Sequence, residues 1–402
     1  MSNLPEIKVR KVTIGEVFKV SSGGTPSRKI DEYFTDGNIA WVKTGDLKGK
    51  FVTFATEFIS QLGLDNSSAK VFPPKTVLLA MYGATIGACS ILPFAAATNQ
   101  ACAAILPSDD CSEVFLYYYL LFIKPSLINK GVGGAQPNIS AGLIKNLEIP
   151  LPPLTEQQKI ASILDAADSL RQKDQQLIEK YTALSQSLFL EMFGDPVSNP
   201  MEWNFSMIAD LTEGKTLNGF FAKKEHYVES GTPIVWITDF INKIYVETDD
   251  LRRVSIKQDD IYKYKLAYGD VLFCRSSLTV EGIGKCAIVP KSITQDVLFE
   301  CHIIKVRLGA QVLPEYFRFL SNTSYFRSKV MKSAKTSTMT TISQDGITDI
   351  LIPIPPIALQ NQFAERIQSI EAQKQLALAS LKKSEALFNS LLQRAFKGEL
   401  TT

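Results

Sequence analysis

No run of about 18 consecutive apolar residues occurs in this 402-residue chain, so nothing in it is long enough to span a membrane. The opening MSNLPEIKVR lacks an apolar core and a cleavage site. No secretory signal is therefore expected, and the cytoplasm is the expected compartment. Cysteine is scarce, with 6 in all and no CxxC pair, and there are only 2 histidines. Structural zinc sites need closely spaced Cys and His donors, so none is expected, and the cysteines read as small buried apolar residues in a reducing compartment. His226 and His302 are isolated, the latter in an apolar strand-like run, and both read as structural rather than catalytic. A GxxxxGK[ST] phosphate loop, a glycine fingerprint on a strand–helix turn and an Asn-Pro-Pro-aromatic tetrad are all missing. No helix-turn-helix or zinc-finger signature is present either. Charge of one sign is also lacking: 43 Lys and Arg against 41 Asp and Glu leave +2, which neither suggests nor excludes a polyanionic partner.

What the chain does have is repetition. NISAGLIKNLEIPLPPLTEQQ (138–158) returns as TISQDGITDILIPIPPIALQN (341–361), so that Ser140 matches Ser343, Ile149 matches Ile352 and Gln157 matches Gln360. The same offset holds further on, where Ala183, Leu184, Ser187 and Phe193 match Ala386, Leu387, Ser390 and Phe396. Solenoid repeats run to about 20–50 residues, far shorter than this period, so the pattern is a duplicated domain followed by a duplicated helix. Upstream, the offset drifts through loop insertions. Trp41 answers Trp236, Gly37 answers Gly231, VLLAMYG (77–83) answers VLFCRSS (271–277), Cys89 answers Cys286 and Cys102 answers Cys301. Matching frameworks with divergent loops are expected of related binding modules with different targets.

Each domain reads as mixed and mostly β, with short apolar runs between Gly, Pro, Asn and Asp clusters and one helical stretch. The expected order is a first domain over 1–153, a helix over 154–195, a second domain over 196–356 and a helix over 357–402. Pro-rich connectors, PLPP (150–153) and PIPP (353–356), lead into the helices. Thr155 is placed as the N-cap of the first, with Gln158 at capping-box spacing. Gly194 and Gly398 stand where the helices should close. A helix of this length extends roughly 58 Å. Apolar seams at alternating spacings of three and four, from Ile160 to Met192 and from Phe363 to Ala395, predict an antiparallel coiled coil. Arg171, Asp174 and Lys374 interrupt the seams and are expected to fix the register. The fold expected is thus α/β (α+β), duplicated with pseudo-twofold symmetry. Packing of the helices against the globular domains alone is the alternative.

Two domains on a stiff spacer suit a bipartite linear target, since a duplex repeats its groove every ~34 Å. GGTPSR…YF…GNIAWVKTGDL (23–47), YGATIGAC (82–89), QPNIS (136–140) and IPLPPLTEQQKI (149–160) resemble the specificity subunits of type I restriction–modification systems. PIVWITD (233–239), GDVLFCRSS (269–277), TISQDGITDILIPIPP (341–356) and AFKGEL (395–400) supply the second set, so the resemblance covers essentially the whole chain. It implies that each target-recognition domain reads one half of a split, asymmetric site in double-stranded DNA. It further implies that the helices set the gap and dock two modification subunits, which carry S-adenosylmethionine and methylate a flipped adenine. A motor–nuclease subunit using ATP and Mg would cleave, and this chain would bind no cofactor and perform no chemistry. A scaffold binding partner proteins through its duplicated domains is the alternative. A self-sufficient nuclease–methyltransferase is disfavoured by the missing motifs.

Candidate DNA contacts in the first domain are Ser22, Gly23, Gly24, Thr25, Ser27, Arg28 and Lys29, where glycines would let backbone N–H groups approach phosphates beside basic groups. Lys43 and Thr44 follow at a strand end, with Trp41 read as core. Tyr82, Ala84 and Thr85 form a turn able to enter a groove, and Gln136 and Asn138 carry amides suited to adenine edges. In the second domain Arg275 is the leading candidate for guanine, with Ser276 and Ser277 beside it. Lys223 and Lys224 occupy the loop matching the glycine turn. Between Glu315 and Asp345 no acid occurs, while Arg318, Arg327, Lys329, Lys332 and Lys335 do, so Lys332, Lys335, Thr336 and Thr338 are assigned to phosphate.

Overall fold

A computed structural model describes residues 10–131 and 138–400. They separate into two compact units: the described residues up to Gln175 together with those from Ala379 onward, and Gln176–Leu378.

The first unit is organised by Val77–Ala80, a strand buried at every residue, which is why it reads as an unbroken apolar run. It is the third strand of an antiparallel sheet ordered Val20–Ser22, Cys102–Ile105, Val77–Ala80 and Cys89–Ile91. Side chains alternate across it. Val77 and Leu79 face a core shared with the helix Glu113–Lys130, while Leu78 and Ala80 face a second core with Val42, Phe72 and Ala96. A second sheet runs Glu57–Ile59, Ile39–Val42, Ala96–Thr98 and Val71–Phe72, with the middle two strands parallel.

The second unit repeats this plan. Leu217–Asn218, Ile303–Arg307, Asp270–Cys274 and Cys286–Ile288 form its antiparallel sheet, and Val271 and Phe273 face one core while Leu272 and Cys274 face the other. In the companion sheet, Arg252–Val254, Thr232–Val235 and Leu298–Phe299 answer the first three strands of its counterpart, and Tyr227–Val228 is added at the edge.

Register places the equivalences. Leu79 pairs with Cys89 as Phe273 pairs with Cys286, so these two cysteines are true counterparts. Cys102 and Cys301 are not: Ala80 pairs with Cys102 as Cys274 pairs with Ile303, and Cys301 lies in the preceding turn. The tryptophans are not counterparts either. Val42 pairs with Thr98 as Val235 pairs with Phe299, and the N–H groups of Lys43 and Trp236 are each accepted by an aspartate three residues on, Asp46 and Asp239. Trp236 therefore stands where the first copy has Lys43. The buried cysteines behave as apolar groups, and burial pushes the thiols of Cys89, Cys102 and Cys111 up to about 12.

Two long helices, Leu154–Phe193 and Ile357–Lys397, each contribute to both units. The first begins at Leu154, so Thr155 lies within its first turn and is not the cap. The Pro153 carbonyl already accepts from the N–H groups of Glu156 and Gln157. The residue that fastens the junction is Gln157. Its Oε1 accepts from Ser112 N–H at 2.9 Å, and its amide donates to the carbonyls of Asp110 (3.0 Å) and Pro152 (2.9 Å). Gln360 does the same in the second unit, accepting from Leu313 N–H (2.8 Å) and donating to Gln311 (3.0 Å) and Pro355 (2.8 Å). Gly194 and Gly398 end the helices with φ of 76° and 81°, the left-handed conformation a helix stop requires.

Within each unit the helix segments pack antiparallel. In the first, Ile160, Leu164 and Ala167 meet the domain core together with Phe388, Leu392 and Ala395. Asp174, buried mid-seam, accepts a hydrogen bond from Ser384 across the helix pair at 2.7 Å, and the Arg171 guanidinium lies 5.0 Å from the Phe388 ring centre. In the second, Phe189 and Phe193 pack on Phe363 at ring separations of 5.7 and 5.2 Å. The polar pair Asp168–Arg171 recurs as Glu371–Lys374, each an ion pair three residues apart. The coiled coil and its polar interruptions thus follow the sequence expectation. No helix among the described residues is long and apolar enough to cross a membrane.

Candidate nucleic-acid interface

In the first unit the sheet delivers several loops to one rim. Ser22 ends a strand, and the chain then turns at Gly23 and Gly24. Both glycines are buried. A Cβ on Gly23 would meet the Thr98 carbonyl oxygen at 2.0 Å, and one on Gly24 would meet the Ser68 carbonyl carbon at 2.4 Å. The Gly24 N–H donates to Thr98 O (2.9 Å) and its carbonyl accepts from the Trp41 indole (3.0 Å). Gly23 and Gly24 therefore serve close packing of the loop on the sheet, and the Gly24 N–H is not available to a phosphate. The exposed members Thr25, Ser27, Arg28 and Lys29 follow immediately.

Glu57 organises the charges there. Arg28 and Lys43 both form ion pairs with its carboxylate, and the Arg28 guanidinium lies 4.4 Å from the Phe34 ring centre and 5.1 Å from that of Trp41. The bond from Lys43 and the neighbouring Arg28 hold the Glu57 carboxyl below its ordinary range, partly opposed by burial. Two candidate residues are thus brought together on an acid that pattern reasoning did not identify. Glu57 reaches them because strand pairing sets it opposite Trp41, a register invisible in the text. Thr44 opens the short turn beyond Lys43.

Thr25 donates to the Gln100 side chain, and the next residue, Ala101, accepts from Met81 N–H at 2.9 Å. Met81 in turn accepts from Ile139 N–H at 2.9 Å, and Tyr82 bridges to Asn138. The glycine loop, the Asn99–Gln100–Ala101 turn, the Tyr82–Ala84–Thr85 turn and Asn138 accordingly share one rim. Gln136 lies outside the described residues.

The second unit reproduces this hydrogen-bond frame and changes its side chains. Arg275 N–H donates to His302 O (2.8 Å), and Arg275 O accepts from Ile342 N–H (3.0 Å). Arg275 therefore occupies the place of buried Met81, and its guanidinium is half-buried with Nη1 donating to Cys301 O at 3.2 Å. It is a partly engaged arginine with donors remaining, not a free one. Ser276 is buried and paired with Thr341, so its side chain is not presented as expected. Ser277 pairs with Thr340 and accepts from Thr279 N–H at 3.2 Å.

The Lys335–Thr336 strand continues this sheet, with Thr336 and Thr340 hydroxyls 3.1 Å apart. Lys332, Lys335, Thr336 and Thr338 are exposed as expected. Two basic residues of the acid-free stretch are structural instead. Arg318 is buried and donates to Lys243 O, and Arg327 donates to the carbonyls of Ile283 and Glu281. Gly219 is the counterpart of Gly23, with a Cβ there meeting Phe299 O at 2.3 Å, and exposed Lys223 and Lys224 follow on the same loop. Two further features escaped the sequence reading: Arg252 stacked 4.0 Å from the Trp236 ring centre, and Leu278, 85% exposed beyond Ser277. Leu278 had a visible signal, an apolar residue in the polar turn SSLTVEG. His302, expected within a strand, is exposed in a turn with Cys301 and Glu300, the one group of clustered metal-donor side chains among the described residues.

The same frame of loops on a four-stranded antiparallel sheet thus occurs twice in the chain, once in each unit. The family model described as the type I restriction modification DNA specificity domain matches residues 6–180 and again 200–385, and the chain belongs to that family. Its relatives include the type I restriction enzyme EcoKI specificity subunit of Escherichia coli strain K12, 26% identical over 92% of this chain and 84% of the relative. The MjaIX specificity subunit of Methanocaldococcus jannaschii is 25% identical over 96% of this chain and 92% of its own length. The crystal structure of a type I restriction–modification S subunit from M. genitalium matches 98% of both chains with a TM-score of 0.57 at 14% identity, a likeness of fold.

Proposed function

We propose that this chain is the non-catalytic, sequence-reading subunit of a type I restriction–modification assembly. Each unit reads one half of an asymmetric split site in duplex DNA, and the helix pair carries two methyltransferase subunits. S-adenosylmethionine belongs to those partners, and ATP and Mg to motor–nuclease subunits. The observation that carries the reading is the doubled rim, in which one hydrogen-bond frame holds buried Met81 with Gln100 and Ala101 in one copy and half-buried Arg275 with Cys301 and His302 in the other. Constant backbone with altered side chains is what two different half-sites require.

In the first domain Ser22, Thr25, Ser27, Arg28, Lys29, Lys43, Thr44, Tyr82, Ala84, Thr85 and Asn138 supply the contacts. In the second, Arg275 reads a base after exchanging its bond to Cys301 O for a guanine edge, and Ser277, Lys223, Lys224, Lys332, Lys335, Thr336 and Thr338 line the backbone. Quantitative gel shift of duplex libraries, with and without the methyltransferase subunit, tests this. Lys335→Ala should weaken every sequence alike and lower the salt slope by about one. Arg275→Ala should relax preference at a single base by about 1–3 kcal/mol. Unchanged affinity and preference in Arg275→Ala would remove that assignment. Partner binding without any DNA binding would favour the scaffold instead.

A further inference from the structure

The turn that holds Arg275 has a composition its fold does not require. Glu300 accepts from Ile303 N–H at 3.0 Å through its carbonyl, closing a tight turn with Cys301 and His302 at the corner. Side chains of consecutive residues normally diverge, as they do along a strand. Here the carboxylate, thiol and imidazole donor atoms all lie within 4.8 Å of one another. The corresponding turn of the first unit, defined by the same bonds to Met81 and Arg275, is Asn99–Gln100–Ala101. The backbone therefore forms without an acid, a thiol or an imidazole.

Glu300 supplies a second, separate observation. It is 4% exposed, its Oε2 accepts from His302 N–H at 2.9 Å, and the Cys301 thiol donates to it. Arg252 acts on it only from beyond ion-pair contact, so no lysine or arginine among the described residues forms an ion pair with it. A buried carboxylate with no cation in direct contact is costly, and a cation ligated beside it offsets part of that cost.

We propose that Glu300, Cys301 and His302 form a site for a thiophilic divalent cation, zinc foremost. A sulfur, a nitrogen and an oxygen donor match the ligands zinc takes, whereas magnesium and calcium take oxygen alone. Three protein donors leave a fourth position to water. Tetrahedral ligation needs donors roughly 3.5 Å apart, within reach of side-chain rotation from their present spacing. Cys301 and His302 are open enough to solvent for the ion to enter. Spacing rules for zinc motifs pass over the site because its donors are adjacent in sequence. The carbonyls of Cys301 and His302 are those that hold the Arg275 guanidinium and N–H, so an ion here stiffens the seat of that arginine. This last consequence rests on the reading role of Arg275, while the site itself does not.

The test is metal titration of the full-length, metal-free chain without DNA, using Co²⁺ as a spectroscopic probe and Zn²⁺ in competition with a chromophoric chelator. One ion per chain is expected, with a thiolate-to-cobalt charge-transfer band. Cys301→Ser should abolish that band and weaken binding more than about tenfold, since even outer partners of metal ligands are worth that much. The triple variant Glu300→Asn, Cys301→Gln, His302→Ala gives the turn the first unit's side chains and should keep native circular dichroism while binding no ion. Absence of a stoichiometric ion in the unaltered chain, or undiminished binding in the triple variant, overturns the site. Metal binding is measured apart from DNA, so a failure of DNA reading with metal binding intact counts against the proposed function and not against the site.

Discussion

Glu57 holds two of the first unit's cations, Arg28 and Lys43, and under the proposed function a phosphate would have to compete with it for both. Because Lys43 and Arg28 keep its pKa below the ordinary range, it remains charged through neutral pH, and its contribution to stability disappears only as pH falls through that lowered value. Glu57→Gln should therefore strengthen binding to all duplex sequences and steepen the salt dependence by up to about one unit for each cation released. Gel shifts at several salt concentrations measure this, and an unaltered slope would mean that neither cation meets a phosphate. Gln157 illustrates a buried amide without freedom of that kind. Gln157→Met fills similar space but leaves the Ser112 N–H and the carbonyls of Asp110 and Pro152 unpaired, each loss costing about 1–3 kcal/mol. Gln360→Met should cost a similar amount in the second unit, and urea midpoints read both. The repeat made these glutamines conspicuous in the sequence, yet only the fold reveals that they clamp each domain to its helix.

Whole elements were legible where periodicity governs them. The helix pair followed from its seams because burial every three or four residues imposes a pattern that few other structures share. The central strands followed from unbroken apolar runs. Register was less visible: alignment by letter set Trp41 on Trp236, whereas strand pairing sets Lys43 there, since a loop that changes length shifts the text without moving the sheet. The same blindness assigned Gly23 and Gly24 to ligand, although Gly23 packs on Thr98 and Gly24 on Ser68 and Ala69. Letter alignment did set Arg275 on Met81, but only the fold shows that this position is buried in the other copy and that the Cys301 carbonyl engages the guanidinium. The coiled coil carries its own test at Asp174 and Ser384. Ser384→Ala leaves a buried carboxylate without that partner and should destabilise the first unit by about 1–3 kcal/mol. Asp174→Leu combined with Ser384→Ala should recover most of that loss, because an apolar pair replaces the polar one. Denaturation of both variants measures it, and a double variant no more stable than the single one would deny the pair its role.

At the scale of the whole molecule, chain order and compact units do not coincide. The first unit is completed by the last two dozen residues, whose Phe388, Leu392 and Ala395 enter its core and whose Phe396 meets Phe115, Tyr119 and Phe122 at ring separations of 5.2–5.4 Å. The second unit obtains the same closure from Phe189 and Phe193, which precede its domain and pack on Tyr316. Each domain is thus roofed by the start of the helix that follows it and the end of the other. Fully burying a side chain of this size is worth about 1.5–3 kcal/mol, so removing one roof segment forfeits several such contributions together, comparable with the stability of a typical domain. A chain ending at Leu378 keeps every residue of the second unit and loses the closure of the first. Limited proteolysis of that truncated chain should cut within the first unit and leave the second protected. Under the proposed function, it should still discriminate among duplexes carrying variants of the second half-site while losing preference at the first. Equal protection of both units would show that the terminal segment contributes nothing to the core it enters.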